Sequence, residues 1–169
     1  MVLRQRNNFF LSLEEELPTT AIENSALQKM AAEELNVALV RRVVEEIWNR
    51  GDLDVADALF TAGYVNHAGL ITNLVRGPEA IKISVALYRT AFPLLQIGID
   101  TLTARRDAVL LRWSAYEGLP QAGAPGPETP GALSGLIVGR CSGGQIAESW
   151  MHWDQPGLLA QLGLAPRSV

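Results

Sequence analysis

The chain has a single cysteine, Cys141, among 169 residues. No disulfide can form within it, and a scaffold stapled by cystines is excluded. Lone thiols of this kind fit a reducing compartment, and the expected location is cytoplasmic. Apolar runs are short as well. None approaches the roughly 18 residues that signal a membrane-spanning helix. Basic residues never gather beyond pairs such as Arg41-Arg42 and Arg105-Arg106. The net charge is −4. A nucleic-acid partner, which calls for a basic stripe against phosphates, is therefore not expected. Only His67 and His152 represent histidine. Their spacing, without a nearby carboxylate motif, gives no metal site. The start, Met1 to Leu13, has arginines and a brief apolar stretch. It runs straight into Glu14-Glu15-Glu16 with no small-residue cleavage site, so it does not read as a signal peptide.

What is present is ample apolar material, 48% of residues, with 19% charged. That composition fits one domain around one core. Residues 1–24 lack a sustained period and are interrupted by Pro18-Thr19-Thr20. They read as an extension, flexible or in contact with another subunit, and 25–165 as the domain. Asn24-Ser25 offers an N-cap. A helical stripe follows through Leu27, Met30, Ala31, Val40, Val43, Val44, Ile47 and Trp48, with Asn36 as a potential break. Gly51 ends that helix. Asp52 is placed to cap a short second one carrying Val55, Leu59 and Phe60. Tyr64 to His67 reads as a short extended segment. Gly77-Pro78-Glu79 opens a third helix with proline at its first position, and Ile81, Val85, Tyr88 and Phe92 form its stripe.

After Pro93 the period changes from 3.6 to 2. Strands are expected from Leu95, over Val109–Glu117, over 132–141 and over 145–153, with a Pro/Gly-rich connection at 118–131. A short last helix is expected from Gln155-Pro156-Gly157 to Leu162, and Asp154 is suited to cap it. Helices first and antiparallel strands last define an α+β fold. A strongly curved sheet folded over its helices would form a cone with a hollow interior, a natural place for a small molecule.

Several segments, taken in order, resemble SnoaL-like polyketide cyclases of the nuclear transport factor 2-like superfamily. They are Val44 to Asp54, Gly63 to His67, Arg76 to Ile81, Ala91-Phe92-Pro93, Gly144 to Trp150, and Asp154 to Gly163. The resemblance implies a cone-shaped α+β barrel and a mostly antiparallel sheet enclosing a pocket. It also implies a homodimer formed through the sheet, and intramolecular aldol chemistry that needs no cofactor. Trp48 and Trp113 would line the pocket, with Tyr64 and Asn66 positioning substrate or water. The family acid belongs on the last strand, where Glu148-Ser149-Trp150 is followed by Met151. Related epoxide hydrolases carry an Arg and, two residues on, an acid; here Arg112 is followed by Ser114. Alternation along the last strand puts Met151, Ser149 and Trp153 on one face and Trp150 and His152 on the other.

Two candidates remain for acid–base work. His67 carries an imidazole, the side chain most often used as a general base. Glu117, at a strand end, would become a useful base if buried. Against these stand the plain alternatives of a hydrogen-bonded structural histidine and a solvated carboxylate. Two functional readings stay open. One is a cofactor-independent cyclase, isomerase or hydrolase acting on a small apolar carbonyl-bearing molecule. The other is a protein that binds such a molecule without chemistry, or a dimeric interaction module.

Overall fold

The structure is a computed structural model, and it describes residues 17–67, 74–117 and 133–153. The connection at 118–131 and the helix expected at 155–162 lie outside the described residues. Within them, α1 spans Leu17–Arg42 and continues as a π-helical stretch, Val43–Asn49. Short α2 (Ala56–Leu59) leads directly into β1 (Phe60–Asn66), and α3 covers Pro78–Ala91. Four strands follow: β2 (Leu95–Arg105), β3 (Ala108–Glu117), β4 (Leu133–Ser142) and β5 (Gln145–Trp153).

The helical start differs from the expectation. Helix α1 is already formed at Leu17, the first described residue, rather than starting after Asn24-Ser25. Pro18, Thr19 and Thr20 lie within the described helix and do not interrupt it. Asn36 does not break the helix either; its amide donates to the Arg106 carbonyl at 3.0 Å. Ile22, Leu27 and Met30 are exposed, so the buried stripe starts only at Leu39 and Val40. It continues through Val43, Val44 and Ile47. Gly51 does terminate the helix, with a φ of 74°. The second helix is shorter than expected and Asp52 does not cap it; Val55 occupies that place and Phe60 already belongs to β1. Gly77 and Pro78 open α3 as anticipated.

The sheet order is β1-β5-β4-β3-β2. Strands β2 to β5 pair antiparallel, and β1 joins β5 in parallel. Strands β1 and β2 are the two edges, so the sheet is open and does not close into the barrel that the resemblance suggested. Three irregularities interrupt its pairing. One falls between Phe60 and Val65 on β1, one at Asp100 on β2, and one opposite Arg140 and Cys141, where Ala147 of β5 is the extra residue. Such bulges raise local twist and curl a sheet over its helices. The inner face carries Val109, Leu111, Trp113 and Ala115 from β3, all buried. Ile146 on β5 is buried with them, and all belong to one core shared with the helices.

The exposed edge of β2 is held by the π-helical turn. Asn49 donates its amide to the Ile97 carbonyl at 3.0 Å and accepts from the Ile97 N–H at 2.7 Å. The side chain thus imitates a neighbouring strand, which blunts an edge otherwise open to pairing. Arg89 of α3 donates to the carbonyls of Trp48 and Asn49, satisfying the end of the helix. Together these contacts fix Trp48 over the sheet.

Candidate functional site

Between the helices and the concave face of the sheet lies a cavity of about 350 Å³. Every layer contributes to it: Val40, Val44 and Trp48 from the first helix, Ile81, Ser84 and Tyr88 from α3, and alternating residues of the strands. Trp48, Tyr64, Asn66, Trp113 and Met151 all line it. The period of β5 is decisive for Met151. Ser149 and Met151 face the cavity, whereas Trp150 is 41% exposed on the convex side.

The lining is chiefly aliphatic and aromatic. Trp48 and Tyr88 meet at 5.8 Å between ring centroids, and Phe60 packs edge-on to Tyr64 at 4.6 Å. Its polar groups are uncharged. The Tyr64 hydroxyl and Ser149 Oγ lie 2.6 Å apart. Ser84 donates back to the Ala80 carbonyl at 2.9 Å, a local bond within α3. Asn66 is a buried amide at the end of β1. Burial pushes the Tyr64 phenol up to about 12, against a smaller opposing influence of Ser149. Tyr64 is therefore a neutral hydroxyl across the physiological range. Among the described residues no Asp, Glu, His, Lys or Arg lines the cavity.

His67 is not among the lining residues. It follows β1 in a turn and points to the convex side of the sheet. There its ring stacks on Trp150 at 4.6 Å between centroids, with 2° between the planes. Its Nε2 lies 3.0 Å from Glu148 Oε2. Glu148 in turn accepts from Arg140 Nε at 3.0 Å. Arg140 first, and His67 second, hold the Glu148 carboxyl below its ordinary range. His67 thus belongs to a surface cluster, and the structure does not bring it to the cavity as a base. Glu117 ends β3 opposite Leu95 in the β2–β3 register, and its side chain lies outside the described residues.

Ser114 also proves to be elsewhere. Trp113 and Ala115 line the cavity, so alternation turns Arg112 and Ser114 to the other face. Ser114 is fully buried there and donates to Asp100 Oδ2 at 2.8 Å. Arg112 Nε stands 3.9 Å from the same oxygen. Asp100 escaped notice in the sequence because it is the extra residue of the β2 bulge, out of the strand's alternation. The position where the related hydrolases would carry an acid is here one half of a structural bond on the opposite face. Cys141 is buried near the end of β4, and burial raises its thiol above the usual range, consistent with a structural role.

Residues 38–162 match the SnoaL-like polyketide cyclase family, and the chain belongs to that family. Solved structures agree on the fold. A candidate polyketide cyclase from Bacillus cereus ATCC 10987 superposes with a TM-score of 0.61 at 21% identity, over 76% of this chain and 80% of the other. A candidate SnoaL-like polyketide cyclase from Jannaschia sp. CCS1 gives 0.60 at 23% identity, over 81% and 95%. A candidate ketosteroid isomerase from Kribbella flavida DSM 17836 gives 0.54 at 14% identity, over 73% and 80%. No curated protein matches the chain. No helix among the described residues is long and apolar enough to cross a membrane.

Proposed function

We propose that this protein binds a small, uncharged, largely apolar molecule bearing a carbonyl group, enclosed between the helices and the sheet. The observation that carries this reading is the make-up of the cavity wall: aliphatic and aromatic surface, a few neutral hydrogen-bonding groups, and no charged side chain among the described residues. An apolar ligand gains from burial against such a wall. A carboxylate or ammonium would lose its hydration without a counter-charge. Family membership supports a ligand of the kind that cyclases handle.

Acetylnaphthalene, a neutral aromatic ketone, is a suitable probe. Saturable one-site binding by the full chain is the expected result, and Ala115→Phe, which fills the cavity from β3, should abolish it. Binding that is absent, or that survives the filling, contradicts the reading.

A second reading is catalytic. The Tyr64 hydroxyl, kept protonated by burial, is a donor able to polarise a carbonyl and stabilise an enolate. Cofactor-independent cyclisation, isomerisation or hydrolysis could run on such a donor, with Glu117 as the remaining proposed base. Turnover lost in both Tyr64→Phe and Glu117→Gln, with probe binding retained, would favour it over binding alone.

The convex face supports a homodimer. Register sets Leu110 opposite Val138, and Val138 opposite Trp150. With Leu136 these form an exposed apolar stripe across three strands, the kind of surface that marks an interface. The cytoplasm, with its reducing conditions, is the proposed location.

A further inference from the structure

The polar groups of the cavity are not equally satisfied. Tyr64 and Ser149 hold each other, and Ser84 is bonded within its helix. Asn66 and Tyr88 have interactions of their own. Trp113 is different. Its indole Nε1 is buried with no hydrogen-bond partner among the described residues, and the residue is only 7% exposed. A buried donor left unpaired is costly, and native structures seldom keep one without a reason.

The ring is held where it is by its neighbour across the strands. Trp113 pairs with Gly135 of β4. A Cβ at position 135 would meet the indole Cζ2 at 2.7 Å and Cε2 at 2.9 Å. Cε2 is bonded to Nε1, so the N–H edge of the indole lies over Gly135, one of two positions of β4 without a side chain and the one its ring crowds. Glycine in mid-strand weakens a sheet, and close approach of another group is a common reason for it.

We propose that the Trp113 N–H is the anchor for the carbonyl oxygen of the ligand, with Gly135 as the gap that admits the indole to that position. The proposal rests on the small-molecule reading above and adds to it the donor and the type of atom it holds. Indole N–H donates and cannot accept, so the ligand must present an acceptor there. The absence of a charged lining residue among those described makes that acceptor a neutral oxygen, as in a ketone, quinone or ester.

The anchor is separate from the Tyr64–Ser149 pair. Trp113 faces Gly135, whereas Ser149 faces Gly139. Four residues of β4, roughly 13 Å of strand, separate the two positions. A ligand with one carbonyl gains most at Trp113, because Tyr64 and Ser149 already satisfy each other.

The test compares acetylnaphthalene with isopropenylnaphthalene, which has nearly the same shape but carries CH₂ in place of the oxygen. Wild type should bind the ketone more tightly. Trp113→Phe should weaken the ketone about tenfold and the hydrocarbon less than about twofold. A second readout uses wild-type protein with labelled indole nitrogens, resonances being assigned by replacing the other three tryptophans. The ketone should move the Trp113 N–H resonance downfield, and the hydrocarbon should not. Equal weakening of both probes, or an indole resonance indifferent to the oxygen, overturns the anchor while the cavity reading stands. If neither probe binds, the cavity reading falls and the anchor falls with it.

Discussion

Trp113 and Gly135 are packed so closely across β3 and β4 that the first can keep its place only while the second has no side chain. Besides the indole, a Cβ at 135 would come within 2.6 Å of the His152 carbonyl oxygen, which is backbone and cannot step aside. Gly135→Ala should therefore destabilise the protein by about 1–3 kcal/mol, the usual cost of overpacking. Gly139 is the internal comparison. It lines the cavity from the same strand, but a Cβ there meets nothing closer than 3.9 Å. Gly139→Ala should stay within about 1 kcal/mol of wild type. Urea unfolding of the two variants measures the contrast, and equal losses would show that the crowding at 135 is not the cause.

Tyr64 should reveal itself at alkaline pH. Its folded value is raised to about 12, whereas an unfolded tyrosine ionises near 10. The folded state then holds the proton more tightly than the unfolded state does. The contribution is fully present below the unfolded value and is lost as pH rises through the folded one. Between about pH 9 and about pH 11 wild type should lose about 1 kcal/mol more stability than Tyr64→Phe. At neutral pH the variant itself should be about 1–2 kcal/mol less stable than wild type, because the Ser149 hydroxyl loses its partner in a part-buried place. Chemical denaturation across the pH series gives both numbers, and parallel curves for the two proteins would contradict the assignment.

Much of this could be read from the sequence, for identifiable reasons. Period alone placed β3 and the α3 stripe, because Val109, Leu111, Trp113 and Ala115 alternate strictly and Ile81, Val85 and Tyr88 recur by helical turns. Alternation also sorted Met151 and Ser149 from Trp150, once one of them was known to face inward. The rest was not legible because period carries no information there. His67 sits in a turn after β1, and the choice between cavity and convex face was decided by stacking on Trp150 and by Glu148, both remote in sequence. Asp100 sits at a bulge, which shifts the register that alternation relies on. Helix α1 includes residues whose apolar side chains, Ile22 and Leu27, are exposed, so no buried stripe could announce the helix before Leu39.

Met151 occupies the place on β5 where the family resemblance puts an acid, and its neighbours are apolar. Met151→Asp would set a carboxylate beside Ile137, its partner in the β4–β5 register. Burial should raise that carboxyl, so the folded state would favour its protonated form. The penalty should be small near pH 4 and grow to about 2–4 kcal/mol by about pH 8. A pH series of unfolding midpoints checks it. A penalty that does not change with pH would mean that the side chain at 151 reaches water.

The convex stripe makes a separate prediction, independent of the cavity. Trp150→Glu sets a charge at the β5 end of the Leu110–Val138–Trp150 row, on the strand that also carries Glu148. Sedimentation should show a dimer for wild type and a monomer for the variant, with acetylnaphthalene binding kept in both. An unchanged sedimentation coefficient would remove the sheet as the interface.

The central claim is that the cavity itself takes the ligand, and methionine offers the most direct view of it. Of the three methionines, Met151 lines the cavity and Met30 is exposed on α1. With methyl-labelled methionine, titration of acetylnaphthalene should shift the Met151 methyl resonance saturably and leave that of Met30 in place. A Met151 resonance that stays still while the ketone binds, or one that moves no more than Met30, would contradict the account.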